Sequence, residues 1–155
     1  MSSKNDAEDK KDVIVITADK LSVESAVASV ACDATGATSL FVGTTRDNFE
    51  GKVVVRLEYE AYDSMAVKEI KKLIVAARKR WEIVHVAVFH RTGVVPVGES
   101  SIIIAVSSAH RKESLAAVQC LIDSIKATVP IWKKEIYTDG TQWKANKEAA
   151  GASGV

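Results

Sequence analysis

No run in this 155-residue chain stays apolar for the ~20 residues that a membrane-spanning helix needs. The opening stretch MSSKNDAEDKK also lacks the apolar centre of a secretory signal, so a cytosolic protein is expected. Cysteine is nearly missing. Cys32 and Cys120 cannot form a C-x-x-C pair, a zinc quartet or a disulfide framework. Both are expected as buried free thiols within helices, and no metal or cofactor is expected. Any sulfur chemistry must therefore bring its sulfur on another molecule. Net charge is small as well: a formal +1 argues against a whole-surface nucleic-acid binder and makes any basic site local. Aromatic residues are only 6% of the chain, few for stacking on exposed bases. Absent too are G-x-G-x-x-G, a Walker A run and a G-x-S-x-G elbow, the common marks of dinucleotide, NTP and hydrolase sites.

What is present is a globular pattern, 47% hydrophobic and 26% charged, of a length suited to one core. A single domain over 12–143 is expected, with disordered tails at 1–11 and 144–155. Strands are predicted at 12–18, 38–45, 53–62, 83–91, 100–107 and 131–138 from β-branched content or apolar alternation. The second of these, TSLFVGTT, has a continuous apolar centre that predicts burial on both faces. In the third, Val55, Leu57 and Tyr59 are expected to face the core. Helices follow Ser22, Ser64 and Ser108, residues that can cap them. The first buries Val23, Ala26, Val27 and Val30; the second buries Val67, Ile70, Leu73, Ile74 and Ala77 and exposes a basic face from Lys68 to Arg80. The apolar loop TGVVPVGE either packs on the core or meets another subunit. The order β α β β α β β α β predicts an α+β domain with a mixed or antiparallel sheet and three main helices. Trp143 is expected to pack back after a turn at Gly140.

The segment from Ser107 to Tyr137 carries the most chemistry. Its helix starts near His110 and Arg111, where free backbone N–H groups and two cationic side chains make an anion site. Leu115, Val118, Leu121, Ile122, Ile125 and Val129 follow helical spacing. Lys126 falls at the border of that stripe, where partial desolvation would lower its pKa and let it act as a base or nucleophile. Pro130 stops the helix, and the next strand puts Lys133 and Lys134 on opposite faces. Arg46, His110, Arg111, Lys126 and Lys133 all lie near strand ends or the helix that follows them, so they can share one cationic rim suited to a phosphorylated small molecule. Each also has a plainer reading. Arg46 and Lys133 can be surface charges, His110 a capping residue, and Lys126 a snorkelling lysine. His85 and His90 have too few carboxylate or thiolate companions for a metal and are read as structural.

Five runs, TTRDN, LEYEAY, VFHRTG, SSAHR and IKATVPIWKKEIY, occur in one order between Val13 and Trp143. Together they resemble the large, catalytic subunits of molybdopterin synthases, most closely the eukaryotic form, with departures confined to 46–52 and the segment after Trp143. The resemblance implies the α/β hammerhead fold of those subunits. It also implies sulfur transfer from the C-terminal thiocarboxylate of a small ubiquitin-like subunit to cyclic pyranopterin monophosphate, forming a dithiolene. Substrate-binding roles then fall on Arg46, His110 and Arg111, and catalytic roles on Lys126 and Lys133, with Pro130 and Trp132 in the matching P-x-W-K pattern. The implied assembly is a heterotetramer, a dimer of large subunits with a small subunit at each end. In it His110 and Arg111 serve either their own pocket or the neighbour's. Neither nucleic acid nor membrane is implied. Two non-catalytic readings stand beside this one: an anion- or RNA-binding module using the basic helix, and a scaffold that docks a ubiquitin-like partner.

Overall fold

The computed structural model describes residues 10–145. In chain order its strands are β1 (Asp12–Thr17), β2 (Ala37–Thr44), β3 (Asn48–Phe49), β4 (Lys52–Ala61), β5 (Ile83–Arg91), β6 (Gly93–Pro96), β7 (Ser100–Ser108), β8 (Ile131–Tyr137) and β9 (Gln142–Ala145). The helices are α1 (Val23–Ser29), α2 (Asp63–Arg80) and α3 (Arg111–Thr128). They make an α+β fold with one mixed sheet, ordered β1-β5-β7-β2, and a second sheet, ordered β3-β4-β8-β9 with β6 also on β4. Among the described residues only β1 and β5 run parallel; the other pairs are antiparallel.

The first sheet is covered on both sides, which is why β5 and β7 read as unbroken apolar runs. On one face, Ile70 and Ile74 of α2 and Leu121 and Ile125 of α3 pack against Val86, Val88, Ile104 and Val106. On the other, Ala26 and Val30 at the α1 end meet Ala87, Phe89, Ile103 and Ala105. Each fully buried Ile or Leu contributes about 1.5–3 kcal/mol relative to an exposed one.

Several local expectations change. β2 is an edge strand rather than a doubly covered one, so Leu40 is 39% exposed. A register shift between Val54 and Arg56 reverses the alternation at the start of β4, burying Val54 and exposing Val55. Leu115 lies outside the α3 stripe and is exposed, with Ser114 and Ala117 taking the inner positions. Ser22 does cap α1, accepting the Ser25 N–H at 3.1 Å, but α2 starts one residue before Ser64 with Tyr62 at its cap. Cys32 lies beyond the end of α1, and both thiols are half-buried rather than buried. The apolar loop contains β6, paired to β4; its Val95 is buried while Val94 and Val97 are exposed. β9 extends two residues into the segment expected as a C-terminal tail, and residues 1–9 and 146–155 of the expected tails lie outside the described residues. No described helix is long and apolar enough to cross a membrane.

Candidate active site

A cavity of about 400 Å³ opens where the two sheets and the end of α3 meet. The end of β2 and the loop after it bring Phe41, Gly43, Thr44 and Arg46; β3 and β4 bring Asn48, Phe49, Leu57 and Tyr59. His90 comes from the end of β5 and Ser101 from the start of β7. Ile125, Lys126 and Val129 come from the end of α3, and Lys133 and Glu135 from β8. Gly43 is needed here. A Cβ on it would sit 2.8 Å from the Ile102 side chain and 3.2 Å from the Phe41 ring, closing the space beside them.

Three of the five anticipated residues therefore meet. Arg46 follows Thr45, whose backbone pairs with Glu99 and Gly98 and whose side chain is buried. The Arg46 guanidinium lies over the Phe49 ring, 5.9 Å from its centroid, and Phe49 stacks on Trp143 with centroids 6.1 Å apart. That contact also fulfils the expectation that Trp143 packs back. Lys126 projects from the last turn of α3, which ends at Pro130 as the proline requires: Val129 leaves helical geometry at φ −80°, ψ 134°. In the single chain Lys126 is exposed, not partly desolvated as its place beside the stripe suggests, because in the last turn of α3 Ile125 takes the buried side and Lys126 falls on the open one.

Lys133 is more confined. Its ammonium lies 3.2 Å from Glu135 Oε1, with the two side chains 22% and 4% exposed. Lys134 points to the other face of β8 and reaches Glu58 at 3.8 Å, as strand alternation predicts.

His110 and Arg111 do not join them within one chain. They stand exposed at the start of α3, and fifteen residues of helix before Lys126 correspond to about 22 Å of rise. The shared rim expected from strand ends fails for this pair because a straight helix separates its two ends. His110 is the N-cap residue but makes no side-chain cap bond. Ser108 works instead, accepting the Ser114 N–H at 3.1 Å and donating to the His110 carbonyl at 2.5 Å.

Tyr59, His90 and Glu135 were not anticipated at the site. Tyr59 pairs directly across from Lys133 in the ladder, and Glu135 is two positions along the same strand face, so strand periodicity was the available signal. His90 meets the Tyr59 ring edge-on at 5.1 Å. Burial pushes the His90 imidazole down to about 4, outweighing the opposing effect of the Arg91 carbonyl beside it. The ring is thus neutral at neutral pH, and its Nδ1, 2.9 Å from that carbonyl, carries the proton, leaving Nε2 as an acceptor. Burial raises the Tyr59 phenol, with the Ser101 hydroxyl opposing and Glu135 adding to the shift. His85 is structural as expected: its Nδ1 accepts the Lys11 N–H at 3.0 Å. The basic face of α2 contributes nothing to the cavity. Among the described residues, no group of three or more His, Cys, Asp or Glu side chains is placed to hold a metal.

Chemically, the site offers three cations for an anionic ligand, one of them paired with Glu135, an interior of apolar side chains with the polar Tyr59, His90 and Ser101, and amines that can exchange protons. The family model described as MoaE protein matches residues 16–128. The chain is 59% identical over 146 residues to the human molybdopterin synthase catalytic subunit, covering 94% of this chain and 78% of that one. Its fold is similar to a solved molybdopterin synthase from Staphylococcus aureus, with TM-score 0.79, 33% identity, and coverage of 86% and 95%. It is also similar in fold to a chain in the complex of subunits 1 and 2 of the molybdopterin-converting factor from Helicobacter pylori, with TM-score 0.65, 22% identity, and coverage of 88% and 90%.

Proposed function

This chain belongs to the MoaE protein family, and from that premise we propose that it is the catalytic subunit of a molybdopterin synthase, moving sulfur from a small ubiquitin-like partner onto cyclic pyranopterin monophosphate. The observation that carries this reading is the meeting of Arg46, Lys126 and Lys133 at one cavity from three separate parts of the chain. Arg46 can pair with a phosphate oxygen. Lys126, on the exposed side, is accessible to an incoming acyl thiolate. Lys133, held by Glu135, handles a proton or orients the substrate.

In such a transfer the thiocarboxylate sulfur bonds a precursor carbon as a carbon–oxygen bond at that carbon breaks, the oxygen leaving as a phosphate-ester oxygen or as water. A second water then cleaves the acyl–sulfur bond, and the tail leaves as a carboxylate, so that two rounds, with no change of oxidation state, give the dithiolene. Each round generates and consumes protons beside anionic groups, and cationic amines at the cavity suit both needs. His110 and Arg111 lie far from their own cavity. In a dimer of large subunits they are available to the partner's pocket, where they would complete the phosphate cradle. Two half-buried thiols and the absence of a described membrane-crossing helix agree with a cytosolic setting.

The test is direct: incubate the protein with a thiocarboxylated small subunit and cyclic pyranopterin monophosphate and detect the dithiolene product. Product should require the thiocarboxylate, and a partner ending in an ordinary carboxylate should give none. Absence of product with the loaded partner would refute the proposal.

A further inference from the structure

Lys133, Glu135 and Tyr137 occupy alternate positions of β8 and so share one side of the strand. Glu135 is only 3% exposed, and its two oxygens are divided between its neighbours. Oε1 faces the Lys133 ammonium at 3.2 Å, while Oε2 accepts the Tyr137 hydroxyl at 2.6 Å. Tyr137 does not line the cavity. Its ring is packed beside Val54 and Leu57, with the Lys52 ammonium 5.2 Å from the ring centroid. Its backbone is fixed by the turn that follows: the N–H donates to the Thr141 carbonyl at 3.1 Å, and its carbonyl accepts the Gly140 N–H at 3.1 Å. Gly140 has φ +81°, a conformation that suits glycine.

We propose that Tyr137 is a positioning residue for sulfur transfer: its hydroxyl orients the Glu135 carboxylate, which in turn sets where the Lys133 ammonium stands in the cavity. The proposal rests on the reading of Lys133 as a working group of the site. The final torsion of a glutamate is broad and roughly twofold, so a carboxylate held at one oxygen alone can turn and carry the lysine with it. Held at both, it has one orientation. An error of about 1 Å in a reacting group can cost ~10²-fold in rate. The hydrogen bond to Glu135, with burial second, pushes the phenol up to about 12, so Tyr137 remains a donor throughout the neutral range.

Tyr137→Phe keeps the ring and removes only the donor. In the sulfur-transfer assay it should lower kcat about tenfold while the KM for the pterin stays within about twofold. A tyrosine that merely fills space would not be missed in this way, so coupling is measured as well. Tyr137→Phe added to Glu135→Gln should lower kcat no further than Glu135→Gln alone. If the phenylalanine variant folds poorly, 3-fluorotyrosine at position 137, which retains ring and hydroxyl, serves instead and should preserve the wild-type kcat. A wild-type kcat in Tyr137→Phe, losses that multiply in the double variant, or a tenfold loss with fluorotyrosine would each overturn the proposal. Lys133→Ala, assayed alongside, separates the two layers. Full activity there overturns the reading of Lys133 itself, whereas an inactive Lys133→Ala beside a wild-type-like Tyr137→Phe overturns only the positioning role.

Discussion

Arg46 and Lys126 line the exposed side of the cavity, whereas Lys133, Glu135, Tyr59 and His90 line its buried wall. The exposed pair has loose constraints, a stacked ring under one side chain and a helix end under the other. The buried set is tied down by an ion pair, a phenol donor and an edge-on aromatic contact. Exposed cations are accessible to ligands arriving from outside and contribute little to folding. Buried polar groups must be satisfied by one another, so changes there should affect stability and activity together.

Lys126→Ala should have the largest effect on activity, a loss of about 10³-fold or more in dithiolene formation with partner binding and Tm nearly unchanged. Single-turnover assays and thermal melts read the two quantities separately. If Tm fell by more than a few degrees, Lys126 would belong with the buried wall and the contrast would fail.

His90 tests the buried side through pH. Its folded-state pKa is lowered to about 4 from 6.5, so the unfolded chain binds the proton more readily between those values. Its contribution is therefore fully present above about pH 6.5 and is lost as pH falls toward 4, by about 3 kcal/mol in all. Chemical denaturation across that range should show His90→Gln with an acid limb shallower by up to one proton. Identical limbs would mean that His90 is not buried neutral.

Lys133→Ala should cost about 10²-fold in rate and, unlike Lys126→Ala, about 1–2 kcal/mol in stability, since the buried Glu135 then loses its ion-pair partner. A variant with wild-type Tm would show that the Lys133–Glu135 pair does not hold in solution. Arg46→Ala should act on binding, raising the pterin KM about tenfold with kcat little changed; a change in kcat alone would remove it from the phosphate cradle. Trp143→Ala should be the mildest, a few-fold rise in the same KM through loss of the Phe49 stack that supports Arg46. Its effect should vanish in an Arg46→Ala background.

Much of this was legible in the sequence because it is local. Apolar periodicity located α2, α3 and the long strands, and Pro130 set the end of α3. Strand alternation separated Lys133 from Lys134. Elements of two to four residues were missed: β3, β6 and β9 are too short to show a period and exist only because β4 and β8 offer them a ladder. The exposed Leu40 and Val55 were misjudged for a similar reason. Burial depends on sheet order and on a register shift, neither of which a single segment encodes.

By itself, the sequence determined the three helices and the long strands, their order, most of their apolar faces and the residue types able to hold an anion and move a proton, since each follows from neighbours a few positions apart. Only the tertiary structure decided which of those residues meet. It joined Arg46, Lys126 and Lys133 across a gap between two sheets, admitted Tyr59, His90 and Glu135 beside them, and left His110 and Arg111 at the far end of α3. Proximity between distant segments is fixed by how faces pack, and the length of a rigid helix separates its own two ends whatever charges they carry.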